Sequence, residues 1–335
     1  MPVGEIKKAA KQKAKEKIVR TAKSKVSGGG RTGKSSKSGK RKSPVVLILL
    51  VVLVVAAIGA AWYFGLFDGM FETEPPAVIA VDGNMTVHFI DVGQADAVFI
   101  VTDEGTMLID AGSRNSGPRV IEYLENMGVT SIDYVVATHP HEDHIGGMDL
   151  VLNGFQIGQV LLPAVSHTTR TYERMIDAIE NHNIPTQAPE VGHRFEMGGA
   201  IFTVLHPSSD NYNNLNDWSL SLHVAFGNVS MVTTGDAEHP AEREMMETGL
   251  PLRADILRLG HHGSRTSTGQ EFLDAVSPSI AIIQVGADNR YGHPHEEVMD
   301  RLEAANIRVY RNDLHGNIIL TTDGTDIDIS TQRAG

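Results

Sequence analysis

From residue 86 onward, short apolar runs alternate with stretches of helical spacing. Strand-type runs are predicted at 86–91, 97–102, 106–110, 133–138, 159–162, 201–205, 220–226, 229–234, 255–259 and 279–285. Three more, at 308–310, 317–321 and 326–330, close the chain. Apolar residues three and four apart predict helices over 119–127, 145–151, 170–181, 237–247, 268–276 and 295–305. Strands of this kind mixed with helices and hairpins indicate sheets covered by helices, an α/β or α+β layered domain. No short internal repeat is visible.

The N-terminal quarter follows neither pattern. Residues 45–67 form an uncharged apolar run of 23 residues, and about 20 suffice to cross a bilayer as a helix. Trp62 and Tyr63 lie near its C-terminal end, where amphipathic rings favour the membrane interface. A buried core helix of that length would show a polar face, and this one has none. The run is also longer than the apolar stretch of a cleaved signal peptide, with no A-x-A site before Asp68. The expected organisation is a disordered basic tail (1–43), a transmembrane anchor (44–67), a linker containing Pro75-Pro76 (68–84) and one folded domain (85–335).

Charge changes that picture by giving it a direction. The net charge of −12 divides unequally. Residues 1–43 carry 15 Lys+Arg against two acids, a net +13, and the remainder of the chain carries about −25. A tail of Lys, Ser, Gly and Ala cannot bury enough apolar surface to order itself. By the positive-inside rule it stays in the cytoplasm and the domain lies outside. Lys and Arg beside anionic lipid add about 1 kcal/mol each, so the tail is also a candidate for resting on the inner leaflet. The chain has no cysteine, which excludes disulfides, thiolate metal sites and cysteine nucleophiles.

The strongest chemical signal is His139-Pro140-His141-Glu142-Asp143-His144, set directly after the apolar run 133–138. Residues i and i+2 of an extended loop point the same way, so His139 and His141 can share one cation. Asp143 and His144, at the turn into the next helix, can face a second. Imidazole and carboxylate without sulfur suit Zn²⁺, Mn²⁺ or Fe²⁺.

With this motif the sequence resembles the metallo-β-lactamase-fold hydrolases, whose H-x-H-x-D-H loop it matches. It is most similar to the C-terminal hydrolase domain of ComEC-type competence proteins. The resemblance covers about residues 85–330, through FIDVGQADA (89–97), LIDAGS (108–113), THPHEDHIGG (138–147), NDWSLSL (216–222), TTGDAE (233–238), LGHHGSRTST (259–268) and YGHPH (291–295). The fold it implies is an α+β, four-layer αβ/βα sandwich with two divalent cations, Zn²⁺ or Mn²⁺, at one edge. His139 and His141 would then hold the first, Asp143 and His144 the second, and Asp236 would bridge them. His261 or His262 would supply a late ligand, the other being free to touch substrate. His293 is a candidate ligand, substrate contact or proton donor. Asp110 would orient a ligand from behind, as would Asp91 and Asp96; Gln94 and Asp96 are also pocket candidates.

One position departs from the wider superfamily. Where many members place a further histidine ahead of the bridging Asp, this chain has Asn216-Asp217-Trp218-Ser219, as in the ComEC-like branch. The first cation is thereby left with fewer strong ligands. His206 is a possible substitute, better suited to holding a loop. Ser264, Arg265 and Thr266 offer hydroxyls and a guanidinium for a phosphate or sulfate, or a helix cap. Arg290 and Tyr291 are further pocket candidates.

The resulting expectation is a membrane-anchored, extracytoplasmic, metal-dependent hydrolase acting through an activated water. Its substrate would be a phosphodiester, either single-stranded DNA or a cell-wall group; catalysis would fall to Asp143, Asp236 and His293. An acidic body argues against simple binding of a polyanion. The alternatives are β-lactam or thioester hydrolysis on the same fold, or an anchored binding module without activity. No protein partner is predicted.

Overall fold

The computed structural model of the chain describes residues 83–335. The basic tail, the candidate membrane span and all but the last two residues of the linker lie outside the described residues. Among the described residues no helix is long and apolar enough to cross a membrane.

The chain begins with a meander, β1 (Met85–Phe89), β2 (Val98–Thr102) and β3 (Gly105–Ile109). It then changes to parallel crossovers: α1 (Gly117–Asn126), β4 (Ser131–Val136), α2 (Glu142–Ile145), α3 (Met148–Gly154), β5 (Gln156–Leu161), α4 (Arg170–Asn181) and β6 (Thr186–Gln187). The pattern is repeated in the second half. An antiparallel set, β7 (Arg194–Met197), β8 (Ala200–His206), β9 (Ser221–Phe226) and β10 (Val229–Thr233), leads into a parallel one. That comprises α5 (His239–Glu247), β11 (Ile256–Arg258), α6 (Gln270–Val276), β12 (Ile280–Ile283), α7 (Glu296–Ala304) and β13 (Arg308–Arg311). After the short α8 (Asn312–His315), the hairpin β14 (Ile318–Thr322) and β15 (Ile327–Thr331) returns to the first sheet. There β14 pairs with β1, Met85 opposite Thr322 and Phe89 opposite Ile318. The sheets run β15-β14-β1-β2-β3-β4-β5-β6 and β13-β12-β11-β10-β9-β8-β7.

Three apolar clusters define the layers. Between the sheets, Val87, Phe89, Ile100, Met107 and Val136 meet Phe202, Val204, Leu222, Val224 and Ile282. On the outer face of the first sheet, Phe99, Leu108 and Val135 pack against Val120 and Leu124 of α1, Val151 of α3 and Met175 and Ile179 of α4. On the outer face of the second, Val232, Leu257 and Ala281 pack against Met245 of α5, Phe272 of α6 and Leu302 of α7. Alternate residues of one strand thus serve different cores: Phe99 faces helices and Ile100 the partner sheet. The result is the expected four-layer αβ/βα sandwich.

Local chemistry explains individual elements. Helix α4 has Thr169 as its N-cap, whose hydroxyl accepts from the Tyr172 N–H. It buries Tyr172, Met175, Ile176 and Ile179, one helical face, as expected for 170–181. The expected single helix over 145–151 is instead divided, because Gly146-Gly147 lies between α2 and α3. A side chain at Gly147 would meet the Ala111 carbonyl oxygen at 2.3 Å and the Gly117 Cα at 2.6 Å. That position therefore serves a close backbone crossing rather than helix propagation.

Candidate metal centre

The parallel strands end at one edge of the sandwich, and their following loops carry the polar residues. Open α/β sheets form sites at this place, beyond the carboxyl ends of the strands. After β4 come His139, His141, Asp143 and His144; after β10, Asp236; after β11, His261 and His262.

Three sets of donor atoms each lie within 4.8 Å of one another; Asp96, Asp110 and His144 form one, and the two that converge on Asp236 are His139, His141 and Asp236, and Asp143, His144, Asp236 and His262. Asp236 belongs to both, in the bridging position. In the first set His139 Nε2 and His141 Nδ1 are 2.9 Å apart, and His139 Nε2 lies 3.8 Å from Asp236 Oδ2. In the second, Asp236 Oδ2 is 3.2 Å from His144 Nε2 and 3.9 Å from His262 Nε2, which is 3.3 Å from Asp143 Oδ2. His144 Nε2 and Asp236 Oδ1 are buried without a hydrogen-bond partner. Buried polar atoms seldom remain so, and a shared cation satisfies both.

The opposite ring nitrogens are held from behind, which fixes the tautomers. His144 Nδ1 lies 2.7 Å from Asp110 Oδ2. His262 Nδ1–H donates to the Gln284 carbonyl at 2.9 Å. His139 Nδ1 is 3.1 Å from Thr138 Oγ1, which donates to Asp110 Oδ2 at 2.7 Å. Ser219 Oγ lies 3.4 Å from the same nitrogen and accepts from the Asp236 N–H at 2.9 Å. Rings so engaged turn the remaining nitrogen towards a cation.

Burial first, and then the neighbouring rings, hold His139 well below the usual histidine range and His141 below it. Burial raises Asp143 and Asp236, but the histidines around them prevail and both stay ionised. Burial also lowers His144, yet the Asp236 and Asp110 charges raise it well above its ordinary value. Neutral imidazoles and ionised carboxylates are the forms that bind metal, and a cation at His144 would displace a proton.

The remaining expected residues fall into three places. Asp96 and Asp110 lie behind the donors. Asp96 pairs with the buried Arg258 guanidinium and stands 3.2 Å from His262 Nδ1 and 3.4 Å from His144 Nδ1. His293, Tyr291 and Gln94 form the rim. His293 belongs to neither converging set; its ring centre is 5.6 Å from that of His261, and Gln94 Nε2 is 3.5 Å from its Nδ1. Burial, then the nearby His262, His261 and His295 rings, lower His293 to about 4. Tyr291 is 50% exposed, stacks on His293 and carries Arg290 over its ring.

Other residues are turned elsewhere. Asp91 accepts from Arg333 at 2.8 Å, away from the converging donors. Of Ser264, Arg265 and Thr266, expected to hold an anion or cap a helix, only Arg265 is exposed, and it pairs with Glu297. Thr266 Oγ1 is committed to Glu238 at 3.1 Å and Ser264 Oγ to Thr266 at 3.1 Å. Helix α6 is capped by Gly269 instead, without a side-chain bond. His206 is enclosed by the Ser219 carbonyl and Tyr212, a loop fastening rather than a ligand. Asn216 donates to Glu238 at 3.0 Å.

Arg258, Gln284 and Glu238 are supporting residues that the sequence reading did not single out. Arg258 left a signal, a charge inside the apolar run 255–259.

Residues 90–286 match the family model described as the Metallo-beta-lactamase superfamily. The chain is 32% identical over 250 residues to ComE operon protein 3 of Bacillus subtilis, covering 69% of this chain and 32% of that protein. It is 31% identical over 261 residues to competence protein ComA of Neisseria gonorrhoeae, covering 76% and 34%. To recombination protein 2 of Haemophilus influenzae it is 29% identical over 237 residues, covering 69% and 28%. The chain thus spans about a third of the length of these relatives.

Proposed function

Since the chain belongs to the metallo-beta-lactamase superfamily and is a metal-dependent hydrolase of that fold, we propose that it cleaves phosphodiesters with two divalent cations, Zn²⁺ or Mn²⁺. The observation that carries the reading is the convergence of the two donor sets on Asp236, with Asp236 Oδ1 and His144 Nε2 buried and otherwise unbonded. His139, His141 and Asp236 would hold one cation; Asp143, His144, His262 and Asp236 the other. Bound there, such cations act as Lewis acids, lower the pKa of water and stabilise charge on the substrate oxygen.

The side chains of this protein do the positioning. Asp110, Thr138 and Ser219 hold the imidazoles at fixed angles, and Asp96 with Arg258 supports the second set from behind. At the rim Arg290, over the Tyr291 ring, carries positive charge for a phosphate, and His293 lies where it can hydrogen-bond to substrate.

The membrane proposal rests on the uncharged run 45–67 and on its flanks, +13 before it and Asp68, Glu72 and Glu74 after it. It puts the hydrolase outside the cytoplasm and the tail on the inner side. The names of the relatives, concerned with competence and recombination, favour single-stranded DNA; the −25 of the rest of the chain favours a smaller cell-wall phosphodiester.

The test is turnover by the purified full chain with Zn²⁺ or Mn²⁺. Bis-p-nitrophenyl phosphate, single-stranded DNA and a chromogenic β-lactam are assayed beside the Asp143→Ala/His144→Ala variant. The expected result is metal-dependent phosphodiester cleavage that falls at least 100-fold in the variant. No phosphodiester turnover with either metal would sink the proposal, and β-lactam cleavage alone would replace it.

A further inference from the structure

The connection between β8 and β9, residues 207–220, is long for a compact domain, and connections of that length commonly serve a function. Ser208 to Asn213 face water apart from Tyr212, whereas Asn216 to Ser219 are buried. This buried turn stands where many superfamily members carry a further histidine. It meets the metal centre all the same, through Ser219.

Ser219 touches two donors of one set. Its Oγ accepts from the Asp236 N–H at 2.9 Å and lies 3.4 Å from His139 Nδ1. The next residue, Leu220, donates its N–H to the Thr138 carbonyl at 2.9 Å, directly ahead of His139. The fit is close. Gly235 has a φ of 55°, and a side chain there would meet Ser219 Oγ at 2.9 Å. A hydroxyl fixes its partners only as well as its own backbone is held.

That backbone is held from the far side of the turn. The buried His206 donates its Nδ1–H to the Ser219 carbonyl at 3.2 Å, and Ser221 Oγ–H donates to the same oxygen at 3.3 Å. His206 Nε2 lies 3.0 Å from the Tyr212 hydroxyl and 3.5 Å from Glu244 Oε2. The Tyr212 hydroxyl donates to Glu244, on α5, and accepts from the N–H groups of Ser208 and Ser209 at 3.1 and 2.8 Å. Its ring packs on His206, with centres 5.2 Å apart, and edge-on to Trp218 at 5.3 Å. An unbroken series of contacts therefore runs from Glu244 through Tyr212, His206 and Ser219 to His139 and Asp236.

We propose that His206 and Tyr212 are positioning residues of the metal centre. Anchored on Glu244, they hold Ser219 so that its hydroxyl fixes the Asp236 backbone and the His139 ring. The inference rests on the two-cation reading above, and the test separates the two. Zn²⁺ affinity of the full chain is measured by chelator competition, the arrangement of the ligands by the visible spectrum of bound Co²⁺, and the Tm in excess chelator. Groups that orient a metal ligand alter affinity about 10- to 100-fold. Y212F, which removes one oxygen and keeps the ring, and H206L should each weaken Zn²⁺ binding about tenfold, the lower end of that range, and shift the Co²⁺ spectrum. H206N, whose amide can donate in the place of Nδ1–H, should restore most of the affinity. N213A, on the exposed side of the same loop, should change neither reading.

A purely structural loop gives a different result. If Y212F and H206L lower the metal-free Tm but leave Zn²⁺ affinity within about twofold and the Co²⁺ spectrum unchanged, the proposal is overturned and the two-cation centre stands. A wild type that binds neither metal overturns both. Should H206L not fold, Y212F decides the outcome.

Discussion

Behind the converging histidines sits Arg258, a guanidinium almost wholly removed from water. It pairs with Asp96 and donates to the Gly235 carbonyl at 2.7 Å, and its burial lowers its pKa to about 9. Arg258→Met leaves the Asp96 carboxylate buried without its cation. That should cost about 3–5 kcal/mol, read as a fall in the denaturant midpoint of the metal-free protein. His88 gives a second prediction at this scale. Burial lowers its ring to about 4, against about 6.5 in the unfolded chain. Between those values the unfolded state binds more protons, so stability declines as pH falls from 6.5 to 4, by at most about 3 kcal/mol, and is unaffected above. His88→Gln should flatten that part of the Tm–pH curve; an unchanged slope would refute the account. The ligand loop was legible because its four donors fall within six residues and follow a buried strand. Choosing between His261 and His262 was not possible from sequence: both sit at left-handed torsions, and only His262 falls within a converging donor set. Glu238 was equally hidden: Asn214, Asn216 and Thr266 meet it from distant segments.

Most predicted elements lie within a few residues of those observed, and the exceptions share causes. Strand β7 is RFEM with two exposed positions, and β6 has only two residues. Neither carries an apolar run, because each lies at a sheet edge and packs on one side. The division of α2 from α3 has a different origin in Gly146-Gly147, where the loop after β3 crosses at contact distance. Gly147→Ala should force that crossing apart and destabilise the protein by about 2 kcal/mol or more. Because His144 lies on α2, Zn²⁺ affinity should decline with stability. A variant that keeps the wild-type Tm would show that the crossing can yield.

The antiparallel-to-parallel pattern occurs twice, once per sheet, and brings the loops of both sets of crossovers to one edge. Layer type was readable from apolar runs and helical spacing. Strand order was not, since it depends on pairings as distant as Phe89 with Ile318. The returning hairpin is part of this closure. Asn312 Nδ2 donates to the Phe89 carbonyl, and Arg333 reaches Asp91. A chain ended at residue 316 should lose cooperative unfolding and Zn²⁺ binding, because β1 is left with an open edge. Retention of both would show that the hairpin is dispensable.

The position of β1 also has a mechanical meaning. Any tension on the chain ahead of residue 85 enters the domain through this strand, which is flanked by β2 on one side and β14 on the other. Its ladder hydrogen bonds lie across the strand, so a pull along it loads both rows together in shear rather than one bond at a time. Were the domain tethered from its N-terminal side, as proposed, it would be gripped at the interior of a sheet, and the edge strands β6 and β7 would carry none of that load directly.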